Sequence, residues 1–137
     1  MMNNVNYEKS LFKNGETVIY VDFRNKACAY TIIVCKDNVP RILYHSVLPS
    51  GTNVARTHVQ AYAKKIKVVA QPYSRQSYTS KATLLIQTAN NYIRSQVKEE
   101  LSVCPVPAVL LKTKKPELPS IINAYTEAVN FLICKDL

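Results

Sequence analysis

The run Thr17-Val-Ile-Tyr-Val-Asp22 constrains this chain more than any other stretch. Val18, Ile19, Tyr20 and Val21 are β-branched or aromatic and nearly continuous, the pattern of a strand covered on both faces. The run ends in one carboxylate, Asp22. A carboxylate fixed on a rigid strand is a candidate metal ligand. Aspartate is also a turn initiator that bonds its own backbone at strand ends, and Asp22 alone suits either role.

A length of 137 residues suits a single domain, 1–137, with a real core. At 47% hydrophobic and 20% charged the composition is globular, not disordered. No apolar run approaches the ~20 residues of a membrane span. The segment Met1–Ser10 lacks the charged start and apolar stretch of a secretory signal. The expected location is intracellular, in cytoplasm or nucleus (host cytoplasm for a viral protein), with no membrane partner. Cys28, Cys35, Cys104 and Cys134 form no C-x-x-C pair, and His45 and His58 stand far from them in sequence. A zinc site is not expected, and the cysteines read as free thiols in a reducing compartment.

The net charge is +9, and no acid occurs between Asp37 and Glu99. That stretch carries Arg41, Arg56, Lys64, Lys65, Lys67, Arg75, Lys81, Arg94 and Lys98. Elsewhere the two signs balance. A basic middle of this kind attracts phosphate backbones through counterion release, whatever their sequence. A merely soluble basic surface is the plainer reading.

Residues 1–16 read as irregular, with a turn at Asn14-Gly15. Strands are expected at Val18–Phe23, Ala27–Cys35 and Val39–Leu48, joined by turns at Arg24–Lys26 and Lys36–Asn38 into an antiparallel meander. Thr52 or Asn53 can cap a helix to about Lys65. Ile66–Ala70 reads as a short buried strand ended by Gln71-Pro72. A second helix is expected from about Thr79 to Leu101, with Ala82, Leu85, Ile86, Ala89, Ile93 and Val97 facing the sheet. Ala108–Leu111 reads as strand five. A last helix, Ser120–Cys134, is expected to pack through Ile121, Tyr125, Ala128, Val129 and Leu132. Its other face then carries Ser120, Asn123, Glu127 and Asn130 in one row. The order β-β-β-α-β-α-β-α gives an α/β fold, a mixed sheet with helices on its faces.

Three stretches sharpen that order into a resemblance. Val21–Lys26 through Thr31–Asn38 and Arg41–Leu43 resembles the opening meander of RuvC-type Holliday junction resolvases, especially the poxvirus branch, within the RNase H-like superfamily. Val68–Tyr78 resembles their second motif, a buried strand ending in a glutamate before a basic aromatic loop. Leu118–Asn130 resembles their last motif, a helix whose first turn supplies paired aspartates. The resemblance implies two magnesium ions held by four carboxylates, which activate water for phosphodiester hydrolysis. It also implies a two-fold homodimer, since a four-way junction has two equivalent cuts.

Carried onto this chain, the resemblance places Asp22 at the first aspartate. Gln71, or Ala70, stands at the glutamate, and Ser120 and Asn123 stand at the paired aspartates. Three of four acids are replaced. Gln and Asn keep an oxygen but lose the charge that draws a divalent ion. Glu127, one turn beyond Asn123, is a candidate displaced ligand beside Asp22, or a solvated helix residue. Arg24 and Lys26 flank Asp22, where they can hold phosphate and would repel a metal. Lys64, Lys65, Lys67, Tyr73, Arg75, Tyr78 and Lys81 form the candidate nucleic-acid-binding set, with Tyr stacking and Lys or Arg on phosphate. The tyrosines suit core or rim packing equally well.

The expected function is a resolvase-like pseudo-nuclease that binds branched or duplex DNA, or acts as a partner subunit. One alternative is an active, magnesium-dependent junction endonuclease with a rearranged or engineered site. Another is a structural or protein-interaction module on the same fold.

Overall fold

The computed structural model describes residues 12–24, 27–48, 55–75, 81–114 and 120–134; for Ala55, Arg56, Thr57, Arg75 and Ser120 it describes the backbone alone. β1 (Thr17–Phe23) is buried along its whole length, as its unbroken β-branched run requires. β2 (Cys28–Lys36) and β3 (Val39–Leu48) follow as an antiparallel meander. The β2–β3 turn is two residues, Asp37 and Asn38, at φ 56° and 63°. Asp and Asn tolerate this left-handed conformation, whose twist suits a tight hairpin. The Asn38 side chain then donates to the Phe12 carbonyl at 2.8 Å, tying the turn to the segment before β1.

The remaining elements are α1 (Ala55–Ala70), a 3-10 turn (Gln71–Arg75), β4 (Ala82–Thr88), α2 (Asn91–Glu100), β5 (Ala108–Leu110) and α3 (Ser120–Cys134). The sheet order is β3-β2-β1-β4-β5, with β1–β4 and β4–β5 parallel. The expected element order therefore holds, and the mixed α/β architecture with it.

Two assignments within that order are corrected. Ile66–Ala70 is not a strand but the last turns of α1. The buried positions Val59, Tyr62, Ala63, Ile66 and Ala70 keep one helical stripe, whereas Val68 is 69% exposed. A strand would have buried Val68 with Ile66 and Ala70. The fourth strand is instead Ala82–Thr88, inside the stretch expected to be helical. Leu84, Leu85 and Ile86 are all buried, as in a central strand packed on both sides. The following helix starts only at Asn91, where the Asn90 side chain accepts from the Ile93 N–H at 2.9 Å. The expected caps Thr52 and Asn53 lie outside the described residues.

Strand alternation divides the core into two layers. Ile19, Val21, Phe23, Leu84 and Ile86 pack against α1 and α2. Val18, Tyr20, Ile33 and Leu85 pack against Ala124, Ala128 and Leu132 of α3. The stripe of α3 is thus 124, 128 and 132 rather than 121 and 125; Ile121 and Ile122 are exposed. Tyr125 reaches the other way, and its hydroxyl donates to the Pro40 carbonyl at 2.9 Å, pinning α3 to β3. Each fully buried Leu or Ile contributes about 1.5–3 kcal/mol, so both layers are needed to hold β1 in the centre.

Candidate functional site

Asp22 sits near the C-terminal end of β1, opposite Ala29 of β2 and in register with Gln87 of β4. Side chains two apart on a strand share a face. Asp22 therefore lies on the face of Val18 and Tyr20, and Gln87 on that of Leu85, both beneath α3. The Asp22 side chain is only 3% exposed, so its charge needs a partner. Arg24, just past the strand end, donates from Nε to Asp22 Oδ2 at 2.9 Å. The chain turns immediately after, with the Arg24 N–H donating to the Ala27 carbonyl at 2.8 Å.

Gln87 is buried, and its amide nitrogen donates to the Lys112 carbonyl at 2.7 Å, with the Thr88 carbonyl at 3.4 Å. Both neighbours are acceptors, which the amide NH2 satisfies and an ionised carboxylate cannot. A glutamate there would set negative oxygen against carbonyl oxygen. The position is chemically fitted to an amide.

From α3, Asn123 is buried and Glu127 is half-buried. Lys114 Nζ lies 3.9 Å from Glu127 Oε2. Tyr20 links the two carboxylates. Its phenol is pushed well above the usual value, first by burial, then by the negative charges of Asp22 and Glu127. Its hydroxyl is buried without a hydrogen-bond partner among the described residues. Beside it, the buried Thr31 hydroxyl and His45 Nδ1 lie 2.7 Å apart. A pocket of about 320 Å³ opens here, lined by Asp22, Arg24, Ala27, Ala29, His45, Val47 and Ile121. The first turn of the closing helix thus meets the strand-borne aspartate.

These residues do not fit a pair of divalent ions. Magnesium needs hard, negatively charged oxygens. The two carboxylates present each face a cation of this chain, Arg24 on Asp22 and Lys114 on Glu127. The register partner of Asp22 is an amide turned nitrogen-first to the backbone. Among the described residues no group of three or more His, Cys, Asp or Glu is placed to hold a metal.

The expected site set divides. Asp22, Arg24, Asn123 and Glu127 belong to the α3 face, and the N-terminus of α3 at Ser120 stands beside Ile121 of the pocket. Gln71 does not: it is exposed at the end of α1, in the layer on the opposite face. The amide beside Asp22 is Gln87, which the sequence reading missed because it placed β4 at Ile66–Ala70. The usable signal was another apolar run ending in Gln, Leu84-Leu-Ile-Gln87. Lys64, Lys65, Lys67 and Tyr73 lie on the α1 layer as well. Lys81 precedes β4, six residues or roughly 20 Å along the strand from Gln87. Lys26 and Tyr78 lie outside the described residues, as does the Arg75 side chain.

The fold defined here is an α/β sheet of order 3-2-1-4-5 carrying a carboxylate on its central strand. Thermus thermophilus RuvC is similar to it over 88% of this chain and 95% of that one, at TM-score 0.60 and 10% identity. The same Thermus protein in complex with a Holliday junction substrate matches over 86% and 89%, at TM-score 0.48 and 12% identity. The fowlpox virus Holliday junction resolvase matches over 84% and 72%, at TM-score 0.42 and 12% identity. No protein-family model matches the sequence, and no curated protein matches it. The chain has the RuvC-like, RNase H-like fold.

Proposed function

We propose that this chain is a nucleic-acid-binding protein of RuvC-like fold that holds branched or duplex DNA without cutting it, alone or as a partner subunit. The observation that carries this reading is the Arg24 guanidinium on the Asp22 carboxylate, with the Gln87 amide as its neighbour. A carboxylate already neutralised by a chain cation offers little attraction to a divalent ion. The acid-free middle supplies phosphate affinity instead: Lys64, Lys65, Lys67 and Lys81, with Lys26, Arg75, Tyr73 and Tyr78 as further candidates. A homodimer suits a four-way junction, whose two halves are equivalent. The test is binding of a labelled junction in chelator. Tight binding with steep salt dependence, and intact strands with magnesium or manganese, supports the reading. Cleavage that disappears in Asp22→Asn refutes it.

One observation favours a second reading, an active magnesium-dependent nuclease using Asp22 and Glu127. The Tyr20 phenol feels both carboxylates, so they share one neighbourhood. Calorimetry with manganese decides it, and no heat above background ends this reading.

A further inference from the structure

On the face of the sheet turned away from Asp22, three tyrosines from separate elements gather beside two lysines. Tyr30 of β2 and Tyr44 of β3 have ring centroids 5.9 Å apart, inclined at 38°. Tyr44 is 53% exposed, so its ring is available to solvent. Tyr73 of the 3-10 turn is half-buried against the same layer. The Tyr30 phenol is held above its usual value by burial first, then by Tyr44, with Tyr73 adding to the effect. Tyr30 therefore stays neutral near physiological pH. Next to it lies a groove of about 430 Å³ lined by Tyr30, Leu48, Lys64, Lys65, Val68 and Val69. Lys64 and Lys65 are exposed, and Val68 also lines a second hollow that adds Lys67.

Two properties of this surface choose its occupant. No Asp or Glu occurs between Asp37 and Glu99, so α1 and the 3-10 turn carry only positive charge. The ligand must be an anion. The apolar and aromatic part would be wasted on phosphate alone, because a bare anion gains nothing from a tyrosine face. Planar π-systems joined by phosphates match both halves: each base has a face to stack, and each linkage has a charge for a lysine. A duplex hides its base faces, whereas a single strand presents them.

We propose that the Tyr30–Tyr44 pair and the Lys64–Lys65 groove form a second nucleic-acid site, specific for single strands, on the face opposite the Asp22 pocket. Bases stack on Tyr44 with Tyr30 behind it, and the backbone runs over Lys64 and Lys65. It shares Lys64 and Lys65 with the junction-binding reading and is told apart from it by the Tyr30–Tyr44 pair, which that reading does not use.

The chain contains no tryptophan, so Tyr44→Trp introduces a single reporter. Stacking by a short oligothymidylate is expected to quench its fluorescence, while inorganic polyphosphate leaves it bright. Tyr44→Ala is expected to weaken oligothymidylate binding about tenfold, with Tyr44→Phe close to wild type. Lys64→Glu with Lys65→Glu is expected to flatten the salt slope by about 1.4, the value for two single-strand phosphate contacts. Equal quenching by polyphosphate, unchanged affinity in Tyr44→Ala, or displacement of the oligonucleotide by an acidic aromatic peptide at lower concentration than by a second oligonucleotide overturns the proposal. Failure to bind a four-way junction would sink the proposed function and leave these outcomes standing.

Discussion

Asp22 and Gln87 are register partners on the two central parallel strands, a carboxylate and an amide side by side beneath α3. The amide is held by the Lys112 carbonyl at 2.7 Å, and the carboxylate by Arg24 at 2.9 Å. Each group has been given the partner its own charge state requires. A carboxylate paired with a cation of its own chain attracts a divalent ion less than a bare one does.

Gln87→Glu is therefore expected to destabilise the fold rather than restore a site. It exchanges a donor for an acceptor facing carbonyl oxygen, at a cost of about 1–3 kcal/mol. The loss should shrink in acid, where the new carboxyl can protonate and donate. Urea denaturation on either side of the carboxylate range checks both the size and the pH trend.

Arg24→Ala should be worse than Asp22→Asn. Removing the guanidinium takes the ion pair at 2.9 Å from a carboxylate only 3% exposed, costing about 1–3 kcal/mol because Arg24 itself is partly solvated. The double variant should recover part of that loss. A double-mutant cycle on urea midpoints reads the coupling directly.

Tyr20 gives a pH signature. Burial, then Asp22 and Glu127, hold its phenol above the usual value in the folded state. The native chain thus keeps a proton that the unfolded chain releases above pH about 10, so stability falls as pH rises through that region. Tyr20→Phe should flatten the alkaline loss. It should cost little at neutral pH, because the hydroxyl has no hydrogen-bond partner among the described residues. Thermal melts of both proteins across the alkaline range test this.

The opening meander was legible from sequence because Val18 to Val21 and Thr31 to Val34 have no helical alternative, and Asp37-Asn38 is turn chemistry. α3 was legible in extent, though not in which stripe it buries. β4 was not legible. Leu84, Leu85 and Ile86 are buried because helices cover both faces of the sheet, and such a run lacks the alternation that marks a strand. Its neighbours Ala89, Ile93 and Val97 happen to extend it at helical spacing. Conversely, Ile66-Lys-Val-Val-Ala70 is short and apolar like a buried strand, yet its Ile66 and Ala70 continue the stripe begun at Val59. That exchange moved the amide partner of Asp22 from Gln71 to Gln87. It also moved the Lys64 to Lys67 group to the opposite face.

Packing of α3 onto β3 should respond to one atom. Tyr125→Phe deletes the bond to the Pro40 carbonyl and is expected to cost about 0.5–1.5 kcal/mol. Since Pro40 is the second residue of β3, amide hydrogen exchange should rise along that edge strand before it rises in β1.

The central claim, that this protein binds nucleic acid without cutting it, is tested most directly by incubating the purified protein with a labelled four-way junction in magnesium and in manganese. The account expects a retarded complex that survives added chelator, with every strand full length on a denaturing gel. Discrete cleavage products that vanish in Asp22→Asn would contradict it.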